Sequence, residues 1–173
     1  MFDLKKFRTL FTLLAEKFNQ ECQALNQLDA AVGDGDHGFT ISRAFAAADH
    51  ALRNDDEELG GMFDAAAEAL AENAGGAIGP LLAAFFAEGG LTLRGKQTCS
   101  KEDLAAFFEG GLKAVMQVGG AEPGQKTLVD AIVPAVQALR DAQYPSLSAA
   151  LDAAEKAAWA GALATQDMVA VHG

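Results

Sequence analysis

The chain has 173 residues, half of them apolar and 21% charged, which places it among globular chains and excludes a disordered one. Its net charge of −11 argues against nucleic acid or an anionic membrane as the main partner, since both carry the same sign. The two cysteines, Cys22 and Cys99, have neither zinc nor CxxC spacing, the N-terminus has no signal-peptide core, and no apolar run is long enough to cross a bilayer. The expected location is the reducing cytoplasm.

Leu4, Phe7, Phe11, Leu14, Phe18, Cys22 and Leu25 recur at steps of three and four, which predicts a long first helix with one apolar stripe. The stretch LDAAVGDGDHG, Leu28 to Gly38, ends it, and a second helix is expected from near Phe39 to about Arg53. After the polar break NDDEELGG, a third helix is expected from about Met62 to Ala71. ENAGGAIGP is a second glycine-rich loop, with Pro80 suited to the first turn of a fourth helix that stops at Gly89 and Gly90. Ser100 and Asp103 have the spacing of a capping box and open a fifth helix reaching Val118. GGAEPGQKT is a third glycine-rich loop. Thr127 with Asp130 predicts another cap, and Pro134 a kink in the helix that follows. QYPS precedes an alanine-rich helix from near Leu147, and a short helical pattern begins around Gln166. No strand, repeat or linker is legible. The expectation is one domain over residues 1–173, an all-α up-and-down bundle of seven or eight antiparallel helices. In such a bundle alternate loops share an end, so the three glycine-rich loops should converge on one rim.

The first loop concentrates Asp29, Asp34 and Asp36 among Gly33, Gly35 and Gly38. Two readings are open: a capped, solvated turn, in which Asp and Gly are the usual residues, or a hard-cation site, because Mg²⁺ and Ca²⁺ take carboxylate oxygens. An EF-hand fails. With Asp34 as its first position, the obligatory glycine falls on Phe39 and the closing glutamate on Phe45. His37 reads as a surface residue or, beside a phosphate, as a hydrogen-bond donor. Gly38 to Thr40, opening a helix, would add backbone donors for an anion. Gly90 to Gln97 and Gly120 to Thr127 imitate phosphate loops, but the first puts Gln97 where a hydroxyl should bind metal and the second has the wrong spacing. No nucleophile lies beside a base, so covalent catalysis has no support. Phe85, Phe86, Phe107 and Phe108 have the spacing of core aromatics.

Taken in order, LDAAVGDGDHG, GGAIGPLLAAFF, GGAEPGQKTLVDAIVPA and ALATQDMVAVHG resemble segments of the nucleotide-binding (L) subunit family of dihydroxyacetone kinases, and the similarity extends over nearly the whole chain. The resemblance implies a closed barrel of about eight antiparallel helices holding ADP or ATP at one end. It implies that Asp29, Asp34 and Asp36 bind two Mg²⁺ ions bridging to the phosphates, in the manner of two-metal sites. His37, Gly38, Phe39 and Thr40 would contact phosphate, Ala77 and Ile78 would form a second phosphate-contacting loop, and Gly119 and Leu128 would line the rest of the nucleotide pocket. Two departures stand out. Ile78 replaces the family's usual serine, and the sequence ends at Gly173, where family members continue with a Gly-Arg-Ala-Ser-Tyr-like segment, an Asp-Pro-Gly turn and a final helix. The implied partner is a separate K subunit that holds the sugar, so that the L chain alone is inactive. A chain of this type resembles the phosphotransferase-system form, in which a phosphohistidine-carrying subunit recharges bound ADP. The alternatives are an ATP-dependent subunit acting on a related ketose such as erythrulose, a non-catalytic nucleotide-binding partner of a transcription regulator, and a ligand-free structural bundle.

Overall fold

The computed structural model describes residues 2–53, 58–141, 143–144 and 146–172. Residues 54–57 of the NDDEELGG break, Pro145 of QYPS and the terminal Gly173 lie outside the described residues. Among the described residues the helical spacing is realised in seven α-helices: α1 (Leu4–Asp29), α2 (His37–Ala51), α3 (Leu59–Asn73), α4 (Ile78–Leu91), α5 (Lys101–Gly119), α6 (Val129–Arg140) and α7 (Leu147–Ala164). A single 3-10 turn, Thr165–Asp167, follows. Each helix packs chiefly on the ones before and after it in the chain, which is the up-and-down arrangement.

Short polar side chains set the helix starts. Asp3 accepts from the Lys6 N–H at α1. Ser100 and Asp103 form the expected capping box at α5, each side chain accepting the other's backbone N–H. Ser146 caps α7. Helix α3 begins three residues earlier than its apolar pattern suggests. The Glu58 carboxylate accepts the N–H groups of Gly60 and Gly61 and so carries two glycines into the first turn. The expected cap at Thr127 takes a different form. Leu128 is the N-cap of α6, while Asp130 accepts the Thr127 N–H and the Thr127 hydroxyl accepts the Val129 N–H. Helix α6 runs on through Pro134.

Gly89 and Gly90 do not stop α4, which continues to Leu91. They are buried contact points instead. A Cβ on Gly89 would lie 2.8 Å from the Phe107 carbonyl, and one on Gly90 2.7 Å from Phe63 Cβ. Gly111 repeats the device from α5, since a Cβ there would meet the Phe85 ring at 2.6 Å. Close approach of α3, α4 and α5 brings Phe63, Phe86 and Phe107 together, with ring centroids 4.5 to 6.2 Å apart, beside Phe11 of α1. Phe11 and Phe63 are each 1% exposed, so each contributes about 2–3 kcal/mol of transfer free energy. Phe85 and Phe108 extend the same cluster, as their spacing suggests. One pairing was not legible. Two-residue strands β1 (Phe2–Asp3) and β2 (Thr98–Cys99) pair antiparallel, Phe2 opposite Cys99, because two residues are too few to show a period.

The helices surround an apolar cavity of about 440 Å³, lined by rings and aliphatic chains such as Phe18, Phe45, Phe85 and Leu151. It presents no polar group to an ion or a phosphate, so polar chemistry belongs to the rim. Cys22 and Cys99 are buried free thiols, and burial pushes the Cys99 thiol up to about 11, which keeps it protonated at neutral pH.

Candidate functional site

Helix α1 carries Asn26 and Asp29 on one face, one turn apart, and both organise the first loop. Asp29 is the last residue of α1 and not part of the loop. Its Oδ2 accepts the N–H groups of Gly35 at 2.9 Å and Asp36 at 3.1 Å, folding the chain back over the helix end. Gly35 makes the reversal at φ +78°, a conformation that side chains resist. Asn26 Oδ1 accepts from Gly38 at 2.7 Å and from Phe39 at 3.3 Å, and so pins the start of α2. Gly38 is buried there because any side chain would run into the Cys22 carbonyl and Asn26 Oδ1.

The result is that Asp29, half-buried, and Asp34 and Asp36, exposed, each present an oxygen within 4.8 Å of the others. Ligands at adjacent corners of a Mg²⁺ octahedron are about 3 Å apart, so this set fits a hard cation after small side-chain movement. Among the described residues, the hydrogen bonds to these carboxylates come from the Gly35 and Asp36 N–H groups. The three aspartates share a cavity of about 420 Å³ with His37, Thr40 and the second loop, Gly75 to Ile78. The N–H groups of Gly75, Gly76 and Ala77 meet no protein acceptor among the described residues, in a loop that Gly76 turns at φ +66°. Those of Gly38 and Phe39 are taken by Asn26, and that of Thr40 by the Asp36 carbonyl. Open donors are therefore concentrated on the second loop. The Phe39 side chain is 64% exposed. Ile78 lines the cavity with an apolar side chain that also packs on the core.

Beside this cavity, and sharing Ala77 and Leu81 with it, lies a second one of about 340 Å³. Its walls include Gly119, Ala121 and Leu128, which brings the third loop to the same rim. That loop is held by Asp130, a buried carboxylate that accepts from Thr127 and Gly124. The Thr127 N–H, then that of Gly124, hold its carboxyl below the usual range despite the burial. Sequence reasoning gave Asp130 only a capping role and overlooked Asn26, whose signal was its position one helical turn before Asp29. The segment after α7 also returns to this loop. Lys126 Nζ donates to the carbonyls of Gln166 and Met168 at 3.3 and 3.2 Å, and Val171 N–H to the Gln125 carbonyl at 3.4 Å.

A bundle of seven helices with a carboxylate triad, a loop of open amides and an adjoining apolar pocket on one rim defines a class: helical proteins that can present a metal ion and an anion to one another. The comparisons place it more narrowly. The model of the DAK2 domain matches residues 31–173, and the chain belongs to that family. It is 34% identical over 165 residues to the ADP-binding subunit DhaL of the PEP-dependent dihydroxyacetone kinase of Escherichia coli, covering 94% of this chain and 79% of that one. It is also 34% identical over 163 residues to D-erythrulose kinase of Mycolicibacterium smegmatis, covering 91% of this chain but only 28% of that longer enzyme. The crystal structure of the C. freundii dihydroxyacetone kinase in complex with AMP-PNP and Mg²⁺ superimposes with a TM-score of 0.72 at 34% identity, over 91% of this chain and 28% of that one. These relatives are named as kinases, that is, phosphotransferases. Asn26 and Asp29 precede the matched span, so α1 completes the carboxylate set from outside it.

Proposed function

We propose that residues 1–173 form a nucleotide-binding domain that holds ADP or ATP through two Mg²⁺ ions and serves as the L-type subunit of a dihydroxyacetone kinase. The observation that carries this reading is the juxtaposition, in one cavity, of three carboxylate oxygens within 4.8 Å and the open amides of Gly75 to Ala77. Asp29, Asp34 and Asp36 would hold the metal, and what Mg²⁺ supplies when bound is neutralisation of the charge on a transferring phosphoryl group. Gly75, Gly76 and Ala77 donate to phosphate oxygens. Asn26 and Asp29 keep the first loop folded so that Asp34 and Asp36 face the second. His37 adds a donor beside them. Gly119 and Leu128 bound the space left for the nucleoside.

A separate K-type partner would hold dihydroxyacetone or a related ketose, in keeping with the likeness to a DhaL subunit. The name of the E. coli relative supports a PEP-dependent route, and a phosphohistidine protein as donor is what the family resemblance implies. Among the described residues no helix is long and apolar enough to cross a membrane. Calorimetric titration of the purified chain with Mg-ADP should show one nucleotide bound and no binding when EDTA is present. Heat of binding that is indifferent to Mg²⁺ would overturn the metal assignment. Addition of a K-type subunit and dihydroxyacetone should give transfer from bound nucleotide, and this chain alone should give none.

A further inference from the structure

We infer that His172 is a base-binding residue: its exposed imidazole lines the 340 Å³ pocket and packs against the purine of a bound nucleotide. This rests on the nucleotide reading above and goes beyond it by assigning the recognition of the base to a residue outside the three glycine-rich loops. The pocket offers a mainly apolar lining. Leu81, Val115, Val118 and Leu128 line it, and it shares Ala77 and Leu81 with the carboxylate cavity, so a ligand with an anionic end in one space and a planar heterocycle in the other spans both. A nucleoside diphosphate has that form, and inorganic pyrophosphate has only the anionic half.

His172 is the only aromatic ring among the described residues that line this pocket. It is held in place. Its Nε2 lies 2.8 Å from Gln125 Oε1, and the same oxygen accepts the Glu122 N–H at 2.8 Å. The second contact identifies the Gln125 atom as the oxygen, so His172 is the donor. The segment carrying it is tied down independently by Lys126 and by the Val171 N–H. A ring bonded through one edge nitrogen keeps its face for stacking, and a base stacked on one aromatic ring gains enough to change affinity by about tenfold or more.

The test is the ratio of two affinities, measured by calorimetry for Mg-ADP and for Mg-pyrophosphate, in the full chain and in His172→Ala and His172→Phe. The inference expects His172→Ala to weaken Mg-ADP about tenfold while Mg-pyrophosphate stays within twofold, and His172→Phe to recover most of the loss by restoring a ring. Three results overturn it: equal weakening of both ligands, which makes His172 a structural tie; no change in either; or a wild-type chain that binds Mg-pyrophosphate as tightly as Mg-ADP. If the wild-type chain binds neither ligand, the nucleotide reading itself falls, and the inference with it.

Discussion

The two ends of the bundle use the same residues to opposite effect. At the far end, Glu58 accepts the N–H groups of Gly60, Gly61 and Gly95, Lys96 pairs with Asp103, and Ser100 and Asp103 close a capping box. Among the described residues there, acid, base and glycine amides satisfy one another. At the other end, Asp29, Asp34 and Asp36 face one another with no cationic side chain in an ion pair with them among the described residues, and three glycine-loop amides stay open. The difference lies in whether a polar group meets its complement inside the protein. That is why Gly90 to Gln97, the closer imitation of a phosphate loop, is structural: its Gly95 amide and its lysine are already spoken for.

Substitutions at each end should separate binding from stability. The largest effect is expected at the carboxylate triad. Asp34→Ala or Asp36→Ala should weaken Mg-ADP at least about a hundredfold, as expected when a ligating charge is lost from a hard-cation site. The melting temperature should hold or rise, because removing one of three mutually repelling carboxylates relieves the empty loop. Next comes Glu58→Ala. It strips the cap of α3 and leaves three amides unmet, which costs about 1–2 kcal/mol and several degrees in Tm for a chain of this size. Its Mg-ADP affinity should equal that of the wild type. A Glu58→Ala protein that lost nucleotide binding, or an Asp34→Ala protein that lost its fold, would break the division of labour between the ends.

Acid provides a smaller, titratable version of the same contrast. Burial by itself would raise the Glu58 carboxyl, but the N–H groups of Gly95, Gly61 and Gly60 outweigh it and hold the group below its ordinary 4.5. A carboxyl depressed in the folded state stabilises the fold fully above its unfolded value, and the contribution disappears as pH falls through the folded one. Thermal stability should therefore be flat from pH 7 to about 5 and fall below about 4.5, with Asp103, held down first by Lys96 and then by the Ser100 N–H, adding to the decline. Glu58→Gln should have a lower plateau and a shallower acid limb. Parallel limbs in the two proteins would place the acid sensitivity elsewhere.

Much of this was legible in the sequence, and the reasons differ from place to place. Helices α1, α5 and α7 announce themselves by apolar spacing or by caps within three or four residues, which are local signals. Asp29, Asp34 and Asp36 were legible as a group because one loop carries them all. What the sequence concealed was long-range. Gly89 and Gly90 read as a helix stop, yet their role is contact with Phe107 and Phe63, residues of other helices. Asn26 looks like any polar residue on a helix until the loop folds back on it, and His172 acquires a neighbour in Gln125 only through the return of the last segment across the third loop.

Ile78 offers the finest test of the contrast, because it carries the far end's habit into the ligand end. It lines the carboxylate cavity beside the open amides, but its side chain is half-buried and packs on the apolar core. A serine there would trade that packing for a hydroxyl facing the carboxylate cavity. The lost burial of a partly exposed isoleucine should cost about 1 kcal/mol of stability. The new hydroxyl, donating to a charged oxygen, should contribute about 1–1.5 kcal/mol to binding after its own desolvation, or roughly a five- to tenfold tighter complex. Ile78→Ser should thus lower the melting temperature of the free protein by a few degrees while tightening Mg-ADP and slowing its release. A fluorescent ADP analogue displaced in stopped flow reads the second effect, and a thermal melt with and without Mg-ADP reads both together. Slower release with a lower Tm would show that this position exchanges phosphate contact for core packing. Unchanged release would mean that the amides of Gly75 to Ala77 already satisfy the phosphate without help from the side chain that follows them.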